Sequence, residues 1–360
     1  MLFIHLFNSQ GRRPDTTHVT DLIHYWRNVG GNFTTIPQYF KENGYTTAGM
    51  GKIFHPGAPS GDNDPISWTE PYFHDKNYYE DIHETWTAFK DHELIEKPLQ
   101  DMQIADHAVK VLQEYSASDD KKPFFLAVGF RKPHLPFQFP ESFLEYYPED
   151  SIRVPSNQYA PVNMPPIAWS DFDEIRAYSD ILYKYGFGNI NTTFPEQKVK
   201  DMRRGYYATI SYVDAQLGKV LQAVEDFGLS NSTIVSFWGD HGWQLGEHGE
   251  WCKHTNFELS THAPMMVRVP GLTDHGPITE QLTEFVDLFP TLAEAAELPP
   301  VPQCPEKSTS IELCTEGKSF VPLMSDPKRE WKKAAFSQYP RMDVAGSAVM
   351  GYTMRTDRYR

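Results

Sequence analysis

Apolar positions in this chain fall into two rhythms. The longer is helical. Val199, Met202, Tyr206, Ile210, Val213, Leu217, Val220 and Val224 form one stripe, predicting a helix over 197–227 with Gly228 as its stop. Met102, Ala105, Ala108, Val109 and Leu112 predict a second helix over 99–116. Thr35 to Gly44 reads as a short helix, with a capping threonine, a proline in the first turn and a glycine past the end. Thr283 to Leu298 predicts a fourth, with acids in its first turn. The other rhythm is the unbroken apolar run. Tyr45–Met50, Phe124–Phe130, Thr233–Trp238 and a segment within Thr261–Pro270 read as strands. Phe124–Phe130 has the continuous character of a strand buried on both faces.

Helix followed by strand recurs along the chain. That order predicts an α/β fold whose sheet is mainly parallel and flanked by helices. Residues 58–98 and 140–195 break the rhythm with prolines, acids and tyrosines. They read as surface excursions with little regular structure, the second shaping a substrate pocket. Residues 11–17 read as a polar turn, and strand-like pieces fill 334–360. The expected division is a main domain over 1–325 and the start of a small C-terminal subdomain over 326–360.

Composition narrows the class. With 40% hydrophobic residues among 360, a large core is available. Forty-eight acidic residues against thirty-three basic ones give a formal charge of −15, which excludes the basic footprint of a nucleic-acid binder. No apolar run approaches the roughly 18 residues of a membrane span, so none is expected. Cys304 and Cys314 enclose a loop rich in Pro, Ser and Thr, a pair suited to a local disulfide in an oxidising compartment; the alternative is three free thiols with Cys252. Asn32, Asn191 and Asn231 each open an Asn-x-Ser/Thr glycosylation sequon. Met1–Phe7 lacks a basic leader and a cleavage site. An N-terminus further upstream would reconcile these signals.

Chemistry gathers where strands end. Thr233–Trp238 runs into Gly239-Asp240-His241-Gly242, and then through Gly246 and Gly249 to Lys253. A carboxylate beside an imidazole at the carboxyl end of a strand suits a divalent cation, calcium or magnesium if further oxygens join them. Lys52 and His55 follow one strand, and His134 follows another. Lysines over a cation suit an anionic substrate group, and a histidine can pass a proton to a leaving oxygen. Each of these groups alone is an ordinary solvated or structural side chain. His248 and His262 read as structural. Tyr25, Trp26, Trp238, Trp243 and Trp251 flank the stretch, either as packing or as faces for sugars.

Gly44-Tyr45…Gly51-Lys52, Lys132-Pro133-His134-Leu135-Pro136-Phe137 and Asp240-His241-Gly242-Trp243…Gly246-Glu247-His248-Gly249…Lys253 resemble the sulfatases of the alkaline-phosphatase superfamily. The resemblance runs from about residue 11 to the end. It implies hydrolysis of a sulfate ester on a terminal uronic acid of a sulfated glycosaminoglycan such as heparan or dermatan sulfate, in the lysosome or secretory pathway. It implies calcium as the metal, with Asp240 and His241 as ligands. Lys52 and Lys253 would hold the sulfate, His55 would assist the nucleophile, His134 would act as acid or hold the sulfate, and Trp243 would line the pocket. Cys304–Cys314 matches a family disulfide.

The family's nucleophile is a formylglycine made from the cysteine of Cys-x-Pro-Ser-Arg, and paired aspartates complete its metal site. Neither occurs in these 360 residues. The expectation is therefore a sulfatase truncated at both ends and inactive as written. The alternatives are a non-catalytic relative that binds sulfated glycans, and a phosphatase or phosphodiesterase of the same superfamily.

Overall fold

A computed structural model describes residues 10–20, 22–81, 83–119, 122–170, 172, 174–342 and 346–359. The expected helices and strands form with ends shifted by only a few residues. Helix α1, Ile36–Glu42, opens where the Thr35 side chain accepts the Gln38 N–H at 3.2 Å. It feeds strand β1, Thr46–Gly51, which pairs in parallel with β3, Phe124–Gly129, from Thr46↔Phe124 to Gly51↔Gly129. A parallel pair needs a long crossover, and helix α2, Gln100–Ala117, supplies it. Its buried face of Ile104, Ala105, Ala108 and Leu112 packs on Met50.

The excursions hold more order than their composition suggests. Strand β2, Trp86–Phe89, pairs in parallel with β4, Phe137–Pro140. All four residues of β4 are buried, with Phe137 and Phe139 at the centre of the largest apolar cluster. The expectation of little regular structure is corrected there: aromatic side chains from both excursions build a core of their own around Trp169, Phe172, Ile175 and Phe194.

Helix α3, Glu196–Asp226, serves two clusters. Its first half buries Val199, Met202, Ala208 and Tyr212 against the excursions. Its second half buries Val220, Ala223 and Val224 against α2. Ile210, placed on the predicted stripe, is exposed. Gly205 takes part in the contact face instead, because a Cβ there would lie 2.9 Å from Cγ of Trp86.

Strand β5, Val235–Trp238, runs antiparallel to β8, Met265–Arg268, between which lie the two-residue antiparallel strands β6, Gln244–Leu245, and β7, Trp251–Cys252. The α/β layering holds, but the described ladders are two-stranded and of mixed sense. Five of the six residues of β3 are half-buried rather than covered on both faces. Helix α4, Leu288–Ala295, is shorter than predicted. The acids before it do not simply face the helix end: Glu284 pairs with Arg13 at 2.7 Å, and Lys332 lies 2.8 Å from Glu284 and 2.6 Å from Asp287.

The chain closes with the antiparallel hairpin of β9, Ala335–Met342, and β10, Ala348–Arg355. Asn256 donates to the Gly351 carbonyl at 2.9 Å, and His254 stacks on Tyr339, so the hairpin rests beside the segment after Lys253. At the other end of the chain, Arg12 is fully buried. Its guanidinium donates to the Ser308 and Ile311 carbonyls and meets Cys314 Sγ at 3.0 Å. Cys304 and Cys314 are disulfide-bonded. The segment read as a polar turn thus includes a short helical turn, Pro14–Thr17, beside this anchor.

Candidate active site

Two glycine contacts set the site's frame. Gly51 has φ +68, and a Cβ on it would lie 2.1 Å from the Gly129 carbonyl oxygen. The ends of β1 and β3 can therefore close together, and the Lys52 N–H donates to Gly129 O at 2.6 Å. That contact fixes where Lys52 leaves β1. Gly242 is packed on the turn before β8, where a Cβ would lie 1.9 Å from Leu259 O. The Gly242 N–H donates to Ser260 O at 2.9 Å, which holds the Asp240-His241 turn against the rest of the domain.

His134 is placed by a buried acid that sequence reasoning passed over. Asp101, at the start of α2, accepts the backbone N–H groups of Arg131 and Lys132 at 2.7 and 3.0 Å. Burial pushes its carboxyl up, while these bonds and the two cations oppose the shift. The loop after β3 is thereby capped, and His134 N–H closes a turn onto Arg131 O at 3.0 Å.

The predicted groups converge in two linked sets. In one, Asp240 Oδ2 lies 3.0 Å from His241 Nε2 and 4.0 Å from Lys52 Nζ. In the other, Lys253 Nζ lies 2.8 Å from Glu174 Oε2, and His134 Nε2 lies 2.9 Å from Glu174 Oε1. Charge couples the sets. Burial lowers the Lys52 ammonium, with Asp240 opposing, Lys253 adding to the fall and Glu174 opposing it. The His241 imidazole is pushed down to about 3, first by burial, and by Lys253 and Lys52 besides. His55 lies three residues beyond Lys52 on the same loop, its Nδ1 3.0 Å from Pro56 O.

The three site histidines share one local arrangement. His55, His134 and His241 each turn Nδ1 onto the carbonyl of the next residue, at 3.0, 2.6 and 2.6 Å. A carbonyl only accepts, so this contact by itself favours a proton on Nδ1, but at His134 and His241 a carboxylate lies at Nε2 and competes for it. With its Nδ1 proton on the Gly242 carbonyl, His241 would have the tautomer of a metal ligand.

The donor set for calcium is nonetheless small. Calcium takes roughly six to eight oxygen ligands. Asp240 and His241 bring one carboxylate and one imidazole. Among the described residues, no three His, Cys, Asp or Glu side chains come together in a metal-holding group. These residues by themselves do not fit a calcium shell.

Trp243 is a wall rather than an open platform. It stacks on Tyr206 with centroids 6.0 Å apart, meets Phe137 edge-on, and lies 5.1 Å from Lys253 Nζ. Trp26 and Trp251 are core residues. His248 hydrogen-bonds Asn157 and stacks on Phe257, and exposed His262 lies 3.3 Å from Glu258. Asn32, Asn191 and Asn231 are all exposed.

The sulfatase family model matches residues 7–298. The chain belongs to the sulfatase family. A second model, for the C-terminal part of N-sulphoglucosamine sulphohydrolase, matches residues 246–360 of this sulfatase. The mouse and human proteins named iduronate 2-sulfatase are each 38% identical to it over 97% of this chain, covering 73% and 74% of their own lengths. Among solved structures, a protein in complex with its substrate D-glucosamine-2-N,6-O-disulfate superimposes with a TM-score of 0.70 at 17% identity, over 98% of this chain and 77% of that one. A 2-O GAG sulfatase superimposes with a TM-score of 0.68 at 18% identity, over 99% and 70%. These two likenesses establish the fold. The sulfatase family comprises sulfuric ester hydrolases.

Glu174 is the site residue that the sequence did not reveal. It sits in the second excursion, among prolines and acids, with no strand before it. The available signal was only its place between Phe172 and Ile175, both core residues, which marks a loop too well packed to be a free surface segment.

Proposed function

We propose that these residues receive the sulfate ester of a terminal uronic acid on a glycosaminoglycan, and that the protein removes a 2-O-sulfate from iduronate. The observation that carries this reading is a pair of withdrawn ammonium groups. The Lys52 and Lys253 side chains keep 14% and 2% of their exposure, beside Asp240 and Glu174. A cation taken out of water requires an anion nearby; Glu174 answers Lys253 at 2.8 Å, while Lys52 stands 4.0 Å from Asp240, beyond hydrogen-bond reach, and a sulfate monoester would supply the closer partner. Likeness to the iduronate 2-sulfatases supports the choice of sugar.

In this reading Lys52 and Lys253 hold negative charge as it grows on the sulfate oxygens. His134 carries a proton for the leaving sugar oxygen. Trp243, backed by Tyr206, walls the sugar side. His55 stands beside Lys52 as assistant to a nucleophile. Asp240 and His241 are the residues that would contribute to a calcium shell, which they do not complete by themselves. Cys-x-Pro-Ser-Arg does not occur in the 360 residues, so the family's nucleophile is not among them. The second reading is a non-catalytic protein that binds sulfated glycans at the same pair of lysines.

The exposed sequons and the Cys304–Cys314 bridge support a secretory or lysosomal setting. Among the described residues no helix is long and apolar enough to cross a membrane. Two measurements on the 360-residue protein test the reading. Calorimetric titration with sodium sulfate should show saturable binding, and a fluorogenic iduronide 2-sulfate reports whether hydrolysis accompanies it. Binding without turnover selects the second reading. Absence of both overturns the assignment of these residues to a sulfate site.

A further inference from the structure

Glu174 touches both groups that the proposed reaction would direct at its substrate. Its Oε2 lies 2.8 Å and its Oε1 3.0 Å from Lys253 Nζ, while Oε1 also lies 2.9 Å from His134 Nε2. The residue is held from below. Phe172 and Ile175 on either side are buried in the main cluster, the Arg176 N–H donates to Phe172 O, and Trp169 donates to Gly249 O at 3.3 Å. The loop is thus packed onto the strands that carry Lys253.

His134 is contested. Its Nδ1 lies 2.6 Å from Leu135 O and its Nε2 2.9 Å from the Glu174 carboxylate. Both facing atoms are acceptors, and a neutral imidazole has one N–H to give. A charged acceptor makes roughly twice the bond of a neutral one. Without the carboxylate, the Leu135 carbonyl would claim the proton for Nδ1. Burial, Lys253 and Lys52 work to discharge the ring, and Glu174 works against them. Burial also acts to raise the Glu174 carboxyl itself, but His134 and Lys253 outweigh it and hold it well below the ordinary carboxylate range.

We propose that Glu174 is a positioning residue, a single carboxylate that tethers the Lys253 ammonium over Trp243 and keeps a proton on Nε2 of His134, the nitrogen that faces the site. This deepens the sulfatase reading and rests on it for the identity of the anion. The geometry itself does not. Glu174 touches neither substrate nor nucleophile in this role. It decides which nitrogen of His134 is armed.

The test is long-range nitrogen–proton correlation NMR on the 15N-labelled 360-residue protein at neutral pH, with His134 assigned through a His134→Gln blank. In the wild type, Nε2 of His134 should resonate in the protonated range. In Glu174→Met, which removes the acceptor and keeps the bulk, it should cross to the bare-nitrogen range while Nδ1 becomes protonated. Glu174→Asp should restore much of the wild-type pattern. Nε2 already bare in the wild type overturns the proposal without any variant, so a poorly folding Glu174→Met leaves it decidable. Nε2 equally protonated in a folded Glu174→Met overturns it too. Sodium sulfate added to the same wild-type sample separates the two claims. If sulfate leaves the His134 signals unmoved, the sulfate-site reading falls while the nitrogen pattern still judges Glu174.

Discussion

Glu250 is fully buried, and both its oxygens lie 3.2 Å from one donor, the Ser170 N–H. Burial raises its carboxyl from 4.5 to about 8, against the opposing pull of Ser170 and Arg341. A native value above the unfolded one means that the folded protein binds a proton more tightly. Its stabilising contribution is full below about pH 4.5 and is lost as pH climbs through about 8. Integrating that linkage from pH 5 to pH 8, at about 1.4 kcal/mol per unit, gives a loss of about 3 to 4 kcal/mol. Glu250→Gln mimics the protonated acid in shape and keeps an acceptor for Ser170. Urea unfolding of both proteins at pH 5, 6, 7 and 8 should show the wild type losing that much more than the variant. The comparison cancels every other titrating group. Curves that stay parallel within about 1 kcal/mol would refute the reasoning, because they would mean that the carboxylate finds water or a cation when it ionises.

Three further outcomes follow from single contacts. Gly242→Ala places a methyl group 1.9 Å from Leu259 O; it should lower the unfolding free energy by about 1 to 3 kcal/mol or more and change Trp243 fluorescence, and an unchanged urea midpoint would contradict the packing. Lys253→Met removes a nearly buried ammonium from the Glu174 pair; sulfate binding by calorimetry should weaken about tenfold or more, and wild-type affinity would remove Lys253 from the anion seat. Replacing Cys304 and Cys314 together by alanine opens a bridge between residues ten apart; urea unfolding should show a loss of about 2 to 3 kcal/mol, and no loss would mean that Arg12 and its carbonyls hold the loop alone.

What could be read from the residues divides by range. Helices α2 and α3 were legible because a stripe of apolar side chains at helical spacing is local information. Even there, Ile210 is exposed and Gly205 lies at the packed face, since a close approach by Trp86 selects the absence of a side chain, which apolar pattern cannot register. The strand-end groups Lys52, His134, Asp240, His241 and Lys253 were legible because each follows an apolar run. Glu174 and Asp101 were not. Each acts through a partner far along the chain, Glu174 on Lys253 and His134, Asp101 on the amides of Arg131 and Lys132. A carboxylate in a proline-rich loop looks the same whether it faces water or a buried lysine. Strand sense was also out of reach, because a run such as Met265–Arg268 has one composition in either direction, and β8 runs antiparallel to β5.

The burial of Arg12 bears on the order in which this protein can be made. Its guanidinium is satisfied by Ser308, Ile311 and Cys314, and the Gly11 carbonyl accepts the Glu316 N–H at 2.8 Å. A ribosome releases the first of these residues long before the last, and a domain generally folds as a unit. Here the early segment stays unfinished, with a cation lacking its acceptors, until about three hundred further residues have emerged. Closing so distant a contact is slow. Nascent chains should therefore depend on chaperones while this contact is open, and premature release anywhere before Cys314 should leave Arg12 without its full set of acceptors.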